Sequence, residues 1–349
     1  MFLGIEIGGT KLQLGVGDGQ SSRLLDLERR DVDEKRGSAG ILESIEAVAS
    51  ALARKHKLTR VGIGFGGPVN AATGVVFKSH QIEGWDDFPL VRWCEELLQL
   101  PAVIGNDCDA AALAEAKFGA GRGSNSLFYV TVGTGVGGGL VLDGQVHGKG
   151  RPAVAEIGHL RPGLHDDRPE MTVESHCSGW GIAATALARI SGEVSRRLEV
   201  VSEGVTPAHR QQILQRMTLV AETEREYIAD LMQRCEQDPE RLTAKIIAQA
   251  AGDGNDIARD VYQHACQVLG WAVAQTITLV APEVVVVGGG VSLAGEQLFF
   301  EPLAAEIEKY VFPALRGSYR LVPAELGELT VVLGALALAA DLNRSAGGR

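Results

Sequence analysis

Two stretches of this chain, far apart in sequence, share one plan, and that repeat limits the fold more than any other feature. "FLGIEIGGTKLQLGVGDG" begins at Phe2 and "SLFYVTVGTGVGGGLVLDG" begins at Ser126. Each is an apolar strand, a tip rich in glycine and threonine, a second apolar strand and an Asp-Gly turn (Asp18-Gly19, then Asp143-Gly144). Apolar alternation through Leu3, Ile5 and Ile7 reads as a strand, and Asp-Gly is a strong hairpin signal. The repeat predicts two related domains, each opening on a hairpin whose tip binds something. A length of 349 residues agrees, since it is more than one ordinary core serves.

Between and after the hairpins the pattern alternates. Residues 39–57 have a helical apolar period, "RVGIGFGGPVN" is a strand running into glycines, and "PAVIGNDCDAAALAEAKFG" is a strand, a turn and an alanine-rich helix. Residues 178–250 read as mostly helical, with an inserted helical pair at 195–240, and 256–280 as a long amphipathic helix. "PEVVVVGGGVS" is a buried strand ending in Gly288-Gly289-Gly290. The small-residue helix "LTVVLGALALAADL" is expected to dock back on the first domain, and the tail 345–349 reads as disordered.

The formal net charge of -11 argues against nucleic acid as the main partner, because a phosphate backbone needs a basic face. No apolar run reaches membrane-spanning length, so no membrane partner is expected. No signal peptide is visible, and five scattered cysteines without a Cys-x-x-Cys pair make no disulfide framework. A cytoplasmic location is the expectation.

Two segments, Gly62–Gly67 and Gly133–Gly138, match the Gly-x-Gly-x-x-Gly dinucleotide pattern. That pattern works only when a helix follows at once and points its N-terminus at the pyrophosphate. Here Pro68-Val69-Asn70 follows the first and Leu140-Val141-Leu142 the second, a turn and a strand. A Rossmann dehydrogenase is therefore disfavoured, and no Walker pattern is present. What remains are three glycine clusters at strand ends. Glycine lets backbone N–H groups approach a phosphate, and Thr10, Thr134 and Lys11 add donors and a cation.

In this order along the chain, "GIEIGGTK", "GIGFGGPV", "GNDCDAAALAEAKFGAG", "VGTGVGGGLVLDGQVHGKG", "AEIGHL", "VESHCSGWGIA" and "PEVVVVGGGVSLAG" resemble the ROK family of repressors and sugar kinases. The resemblance implies an α/β, two-domain actin-like (ribonuclease-H-like) ATPase fold with sugar and ATP in the cleft between domains. The smaller domain would span 1–107 plus 328–349 and the larger 108–327. It implies ATP-dependent phosphorylation of glucose or a related hexose by a homodimer.

The same resemblance implies the site. Asp107 would be the general base, and Gly67, Asn106, Glu156, His159 and Glu174 would bind sugar with it. From the residues alone, a helix cap at Asn106 or Asp107 is favoured over a base, and the two roles can coexist in neighbours. A carboxylate at a helix start should stay ionised and be a weak base, which phosphoryl transfer tolerates. Gly9, Thr10 and Lys11 would form one phosphate turn and Gly133, Thr134 and Gly135 the other. Gly289 and Gly290 would lie by the adenosine. Magnesium would bridge the phosphates and keep several waters, meeting Glu6 through one of them. Glu6 stands where the family usually has Asp.

Two departures accompany the match. The zinc motif Cys-x-Cys-Gly-x-x-Gly-Cys is missing. His159, His165, His176 and Cys177 do not have trusted spacing, so structural zinc is not expected. In "FKSHQIEGWDDFPL", a loop the family closes over its sugar, Gln81 replaces a frequent Asn before Trp85, which leaves the identity of the sugar open. The alternative function is a sugar-binding regulator or inactive ROK protein without a DNA-binding domain. A phosphate turn within the first ten residues leaves no room before it for a helix-turn-helix.

Overall fold

The computed structural model describes residues 1–79, 82–148, 151, 153–163, 168–191 and 222–342. The repeat read in the sequence extends to whole sheets. The first sheet holds β1 (Phe2–Ile7), β2 (Lys11–Gly17), β3 (Leu24–Asp31), β4 (Arg60–Phe65) and β7 (Ala102–Asn106), in the order β3-β2-β1-β4-β7. Between β4 and β7, β5 (Val69–Asn70) and β6 (Val75–Val76) make a separate ribbon. The second sheet holds β8 (Ser126–Val132), β9 (Val136–Leu142), β10 (Gln145–Val146), β11 (Val284–Gly288) and β12 (Arg320–Pro323), in the order β10-β9-β8-β11-β12. In each sheet three antiparallel strands come first, and the two later strands add in parallel on the other side.

Register explains the sequence pattern. Along β11, Val285 and Val287 face one core while Val284 and Val286 face another, so both sides are buried and the strand is uniformly valine. Along β1, Leu3, Ile5 and Ile7 face the core that includes Ile41 and Ile45 of α1 (Gly37–Lys55) and Leu90 and Cys94 of α2 (Leu90–Leu98). Gly4 and Glu6 therefore point to the other face.

That other face is where the sheets exchange helices. α3 (Asp107–Phe118) follows the last strand of the first sheet, yet Ala112 and Cys108 on it pack against Gly139 of β9 in the second. Downstream come α4 (Val173–Cys177), α5 (Gly179–Ile190), α6 (Ala244–Gly252), α7 (Asp256–Val280) and α8 (Glu301–Tyr310). α9 (Thr330–Asp341) follows the last strand of the second sheet and lies on the first. The approach is close: a Cβ on Gly62 would stand 1.8 Å from the Ala335 carbonyl oxygen, and one on Gly334 would stand 1.9 Å from that of Ala110. Gly62, which opens the first dinucleotide-like match, thus seats a helix. Glu115 of α3, fully buried, accepts backbone N–H bonds from Ala120, Glu325 and Leu326 (2.9–3.1 Å). One carboxylate therefore joins both chain connections between the sheets.

The expected helices at 39–57 and 256–280 form at Gly37–Lys55 and Asp256–Val280. Of the 178–250 region, α5, residues 222–234 and α6 are helical. Residues 195–221 of the expected inserted pair, Gln81, His165 and the tail 345–349 lie outside the described residues. The five cysteines are all free and buried.

Candidate active site

A cavity of about 690 Å³ lies where the two hairpin tips meet the start of α3. It is lined by Gly9, Thr10, Gly67, Asn106, Asp107, Gly133, Thr134, Gly135, Glu156, His159 and Glu174, all expected from sequence. They come from segments widely separated in the chain and arrive together because β1, β4, β7 and β8 all end at this cavity.

At its floor the cap of α3 falls to Asn106 rather than Asp107. Asn106 is the N-cap of α3, its Oδ1 accepting the Cys108 N–H at 2.8 Å, while its Nδ2 donates to the Gly67 carbonyl at 3.0 Å. Asp107 is then the first helical residue and faces the cavity. Burial pushes its carboxyl up to about 6, with the charge of Glu156 adding and the Cys108 N–H opposing. This departs from the weak base expected at a helix start: desolvation outweighs the helix dipole. Asp109, one step on, is raised to about 7 by burial and by the charges of Glu156 and Asp107. Glu156 is raised as well, by burial and by Glu174, against the pull of His159. The site is an acidic group with little cationic compensation.

The tips are fixed by backbone bonds. Gly8 N–H donates to the Lys11 carbonyl (2.9 Å) and Gly133 N–H to that of Gly135 (2.9 Å). Glu174, on α4, accepts the Val136 N–H at 2.8 Å, and Gly179 at the start of α5 donates to the Gly133 carbonyl at 2.7 Å. The second tip is thus tied to the elements that carry the acidic side chains.

Glu6 and Lys11 sit behind the first tip. Glu6 Oε2 accepts from Gln13 Nε2 at 2.7 Å, and Lys11 Nζ lies 3.3 Å from Oε1. Burial raises the Glu6 carboxyl, Lys11 and Gln13 oppose, and the charge of Asp107 adds. The charges of Glu6 and Asp107 therefore oppose one another. Among the described residues no group of three His, Cys, Asp or Glu could hold a metal ion. Glu6 and Lys11 do not line the cavity, and both Glu6 oxygens are engaged by Gln13 and Lys11, so a cation such as magnesium, which keeps much of its water, would meet Glu6 only through a water.

Gly133 and Thr134 also line a second, mostly apolar cavity of about 1060 Å³, with Trp180, Lys245, Gly290 and Leu293 on its walls. Gly290 borders this space, while Gly289 (φ 91°) lies close against β8, where a Cβ would meet the Val132 carbonyl at 2.4 Å. The described zinc candidates are divided. His159 lines the first cavity, His176 pairs with His264 (3.2 Å), and the Cys177 thiol donates to the Ala265 carbonyl. Trp85 is buried against Phe65 and Phe88 in the first sheet's core. Sequence reasoning missed Gln13, although the hairpin register places it opposite Glu6. It also missed Asp109 and Trp180, which carry no signal without the folded cavity.

The ROK family pattern matches residues 2–342, and the chain belongs to this family. A glucokinase from Halalkalibacterium halodurans is 31% identical over 339 residues, covering 95% of this chain and 93% of that one. The structure is similar to a ROK family glucokinase from Streptomyces griseus crystallised with glucose and AMPPNP (TM-score 0.74, 26% identity, 97% and 98% of the two chains). A putative xylose repressor from a Caldicellulosiruptor species is 27% identical over 85% of this chain and 68% of its own. The two sheets with exchanged helices are the two-domain actin-like ATPase fold of this family.

Proposed function

We propose that this protein transfers the terminal phosphoryl group of ATP to a hydroxyl of glucose or a related hexose. The observation that carries the reading is the single cavity joining both glycine tips to Asp107, Glu156, His159 and Glu174. Asp107 accepts the proton of the attacking hydroxyl; a base near pH 6 is ionised at neutral pH and stronger than an exposed aspartate. Asn106, Gly67, Glu156, His159 and Glu174 orient the sugar ring. Gly9, Thr10, Lys11, Gly133, Thr134 and Gly135 take the phosphates, and Gly289 and Gly290 flank the adenosine. Magnesium, held from the Glu6 side through water, would neutralise phosphate charge.

The division into 1–107 with 328–349 and 108–327 belongs to this reading, and the docking of α9 on the first sheet supports it. A homodimer and a cytoplasmic location also belong to this reading. A panel of hexoses in an assay coupled to ADP release tests the proposal. One or a few sugars should stimulate ATP consumption. A sugar that raises the melting temperature while no sugar ever releases ADP would favour the regulatory reading, to which the repressor relative belongs.

A further inference from the structure

A narrow recess opens off the large cavity beside Asn106 and Glu156, and both of these residues and Ala153 line the two spaces together. Its room is about 20 Å³, close to that of one water-sized group. Val69, Ala71, Asp109, Gly148, Arg151 and Val154 complete the described walls. The Oδ1 atom of Asp109 is buried and has no hydrogen-bond partner. Asp109 as a whole is only partly buried, but that oxygen has almost no exposed surface, and an orphaned buried carboxylate oxygen is costly unless something brings it a donor. Its neighbours Glu156 and Asp107 are carboxylates and cannot do so when ionised, and Arg151, the cation on the described walls, makes no hydrogen bond to it.

The geometry points to Asp109 as a specificity-determining residue that accepts a hydrogen bond from one hydroxyl of the sugar held by Asn106 and Glu156. This rests on the sugar-kinase reading of the same cavity. The recess then sets the substrate class. It admits a hydroxyl, and it refuses an acetamido group, whose four heavy atoms exceed the room. The protein would act on unsubstituted hexoses in preference to N-acetylated hexosamines. A site with a buried acceptor also rejects an analogue that lacks the matching hydroxyl, because the acceptor is left unpaired again.

The test is calorimetric binding without nucleotide, so it does not depend on turnover. Glucose, mannose and fructose are titrated first, then the monodeoxy and acetamido derivatives of whichever binds. In the wild type, one deoxy derivative should bind at least about tenfold more weakly than its parent, and the acetamido sugar should not bind. In Asp109→Ala that deoxy penalty should shrink below about threefold, and the acetamido sugar should gain measurable affinity. Asp109→Asn keeps the shape and carries the test if the alanine variant does not fold. It should lower the deoxy penalty at least about threefold by replacing a charged acceptor with a neutral one, and still refuse the acetamido sugar. Equal deoxy penalties in wild type and variants, or wild-type binding of the acetamido sugar, would overturn the inference alone. Failure of every hexose to bind would overturn the sugar-kinase reading with it.

Discussion

Asp107 occupies the first turn of a helix, which favours its charge, and a cavity floor surrounded by protein, which opposes it; burial dominates and sets its carboxyl at about 6. If Asp107 is the base, as proposed, it works when deprotonated, so turnover should fall as pH drops through about 6, well above the range of an exposed aspartate. A pH profile of kcat checks this, and an acid limb near 4 would show that the carboxylate is solvated in the working state. The same shift has a consequence for stability. Asp107 and Asp109 bind protons more tightly in the folded chain than an ordinary aspartate near 3.8 does, so their contribution is complete below about pH 4. It is lost as pH rises toward 6 and 7, and stability should decline from about pH 4 to 7 in thermal melts, less steeply in Asp109→Asn. Glu6 has its carboxylate shared between Lys11 and Gln13. Glu6→Gln should keep the turn and sugar binding while lowering magnesium-dependent kcat about tenfold or more, since one anionic donor to the hydrated cation is removed. Unchanged kcat across a magnesium titration would leave Glu6 as a strand residue only.

The hairpins and the strands that end at the cleft were legible in the sequence because they rest on local signals: period-two alternation, Asp-Gly turns and glycine tips. The helices at 37–55 and 256–280 were legible for the same reason. The exchange of α3 and α9 between sheets was only half legible. A small-residue helix announces close packing, but Gly62 looked like part of a nucleotide motif, and only the fold shows it lying under Ala335. Gly62→Ala should lower the free energy of unfolding by about 2–3 kcal/mol, because the clash is with backbone that cannot rotate away. Gly252→Ala, where a Cβ meets nothing within 4 Å, serves as the control in denaturant unfolding. Equal midpoints for the two variants would mean that α9 sits less tightly than described.

At the scale of the whole molecule, the cleft takes one wall from each sheet. Gly9, Thr10, Asn106 and Asp107 come from the first sheet's strand ends, and Gly133 to Gly135 come from the tip of the second sheet's hairpin. The sequence named these residues through family resemblance, whereas spacing alone left Asp107 behind a capping role. Their convergence depends on contacts between distant segments, such as Glu174 on Val136 and Asn106 on Gly67, which no local pattern encodes. The central claim is that Asp107 takes the proton of a sugar hydroxyl while the two glycine tips hold the donor. Asp107→Asn tests it most directly, with sugar binding measured by calorimetry and turnover by ADP release on the same preparation. The account predicts sugar affinity within about threefold of wild type and a kcat lower by about a thousandfold. Turnover retained within about tenfold of wild type, with the sugar still bound, would contradict it.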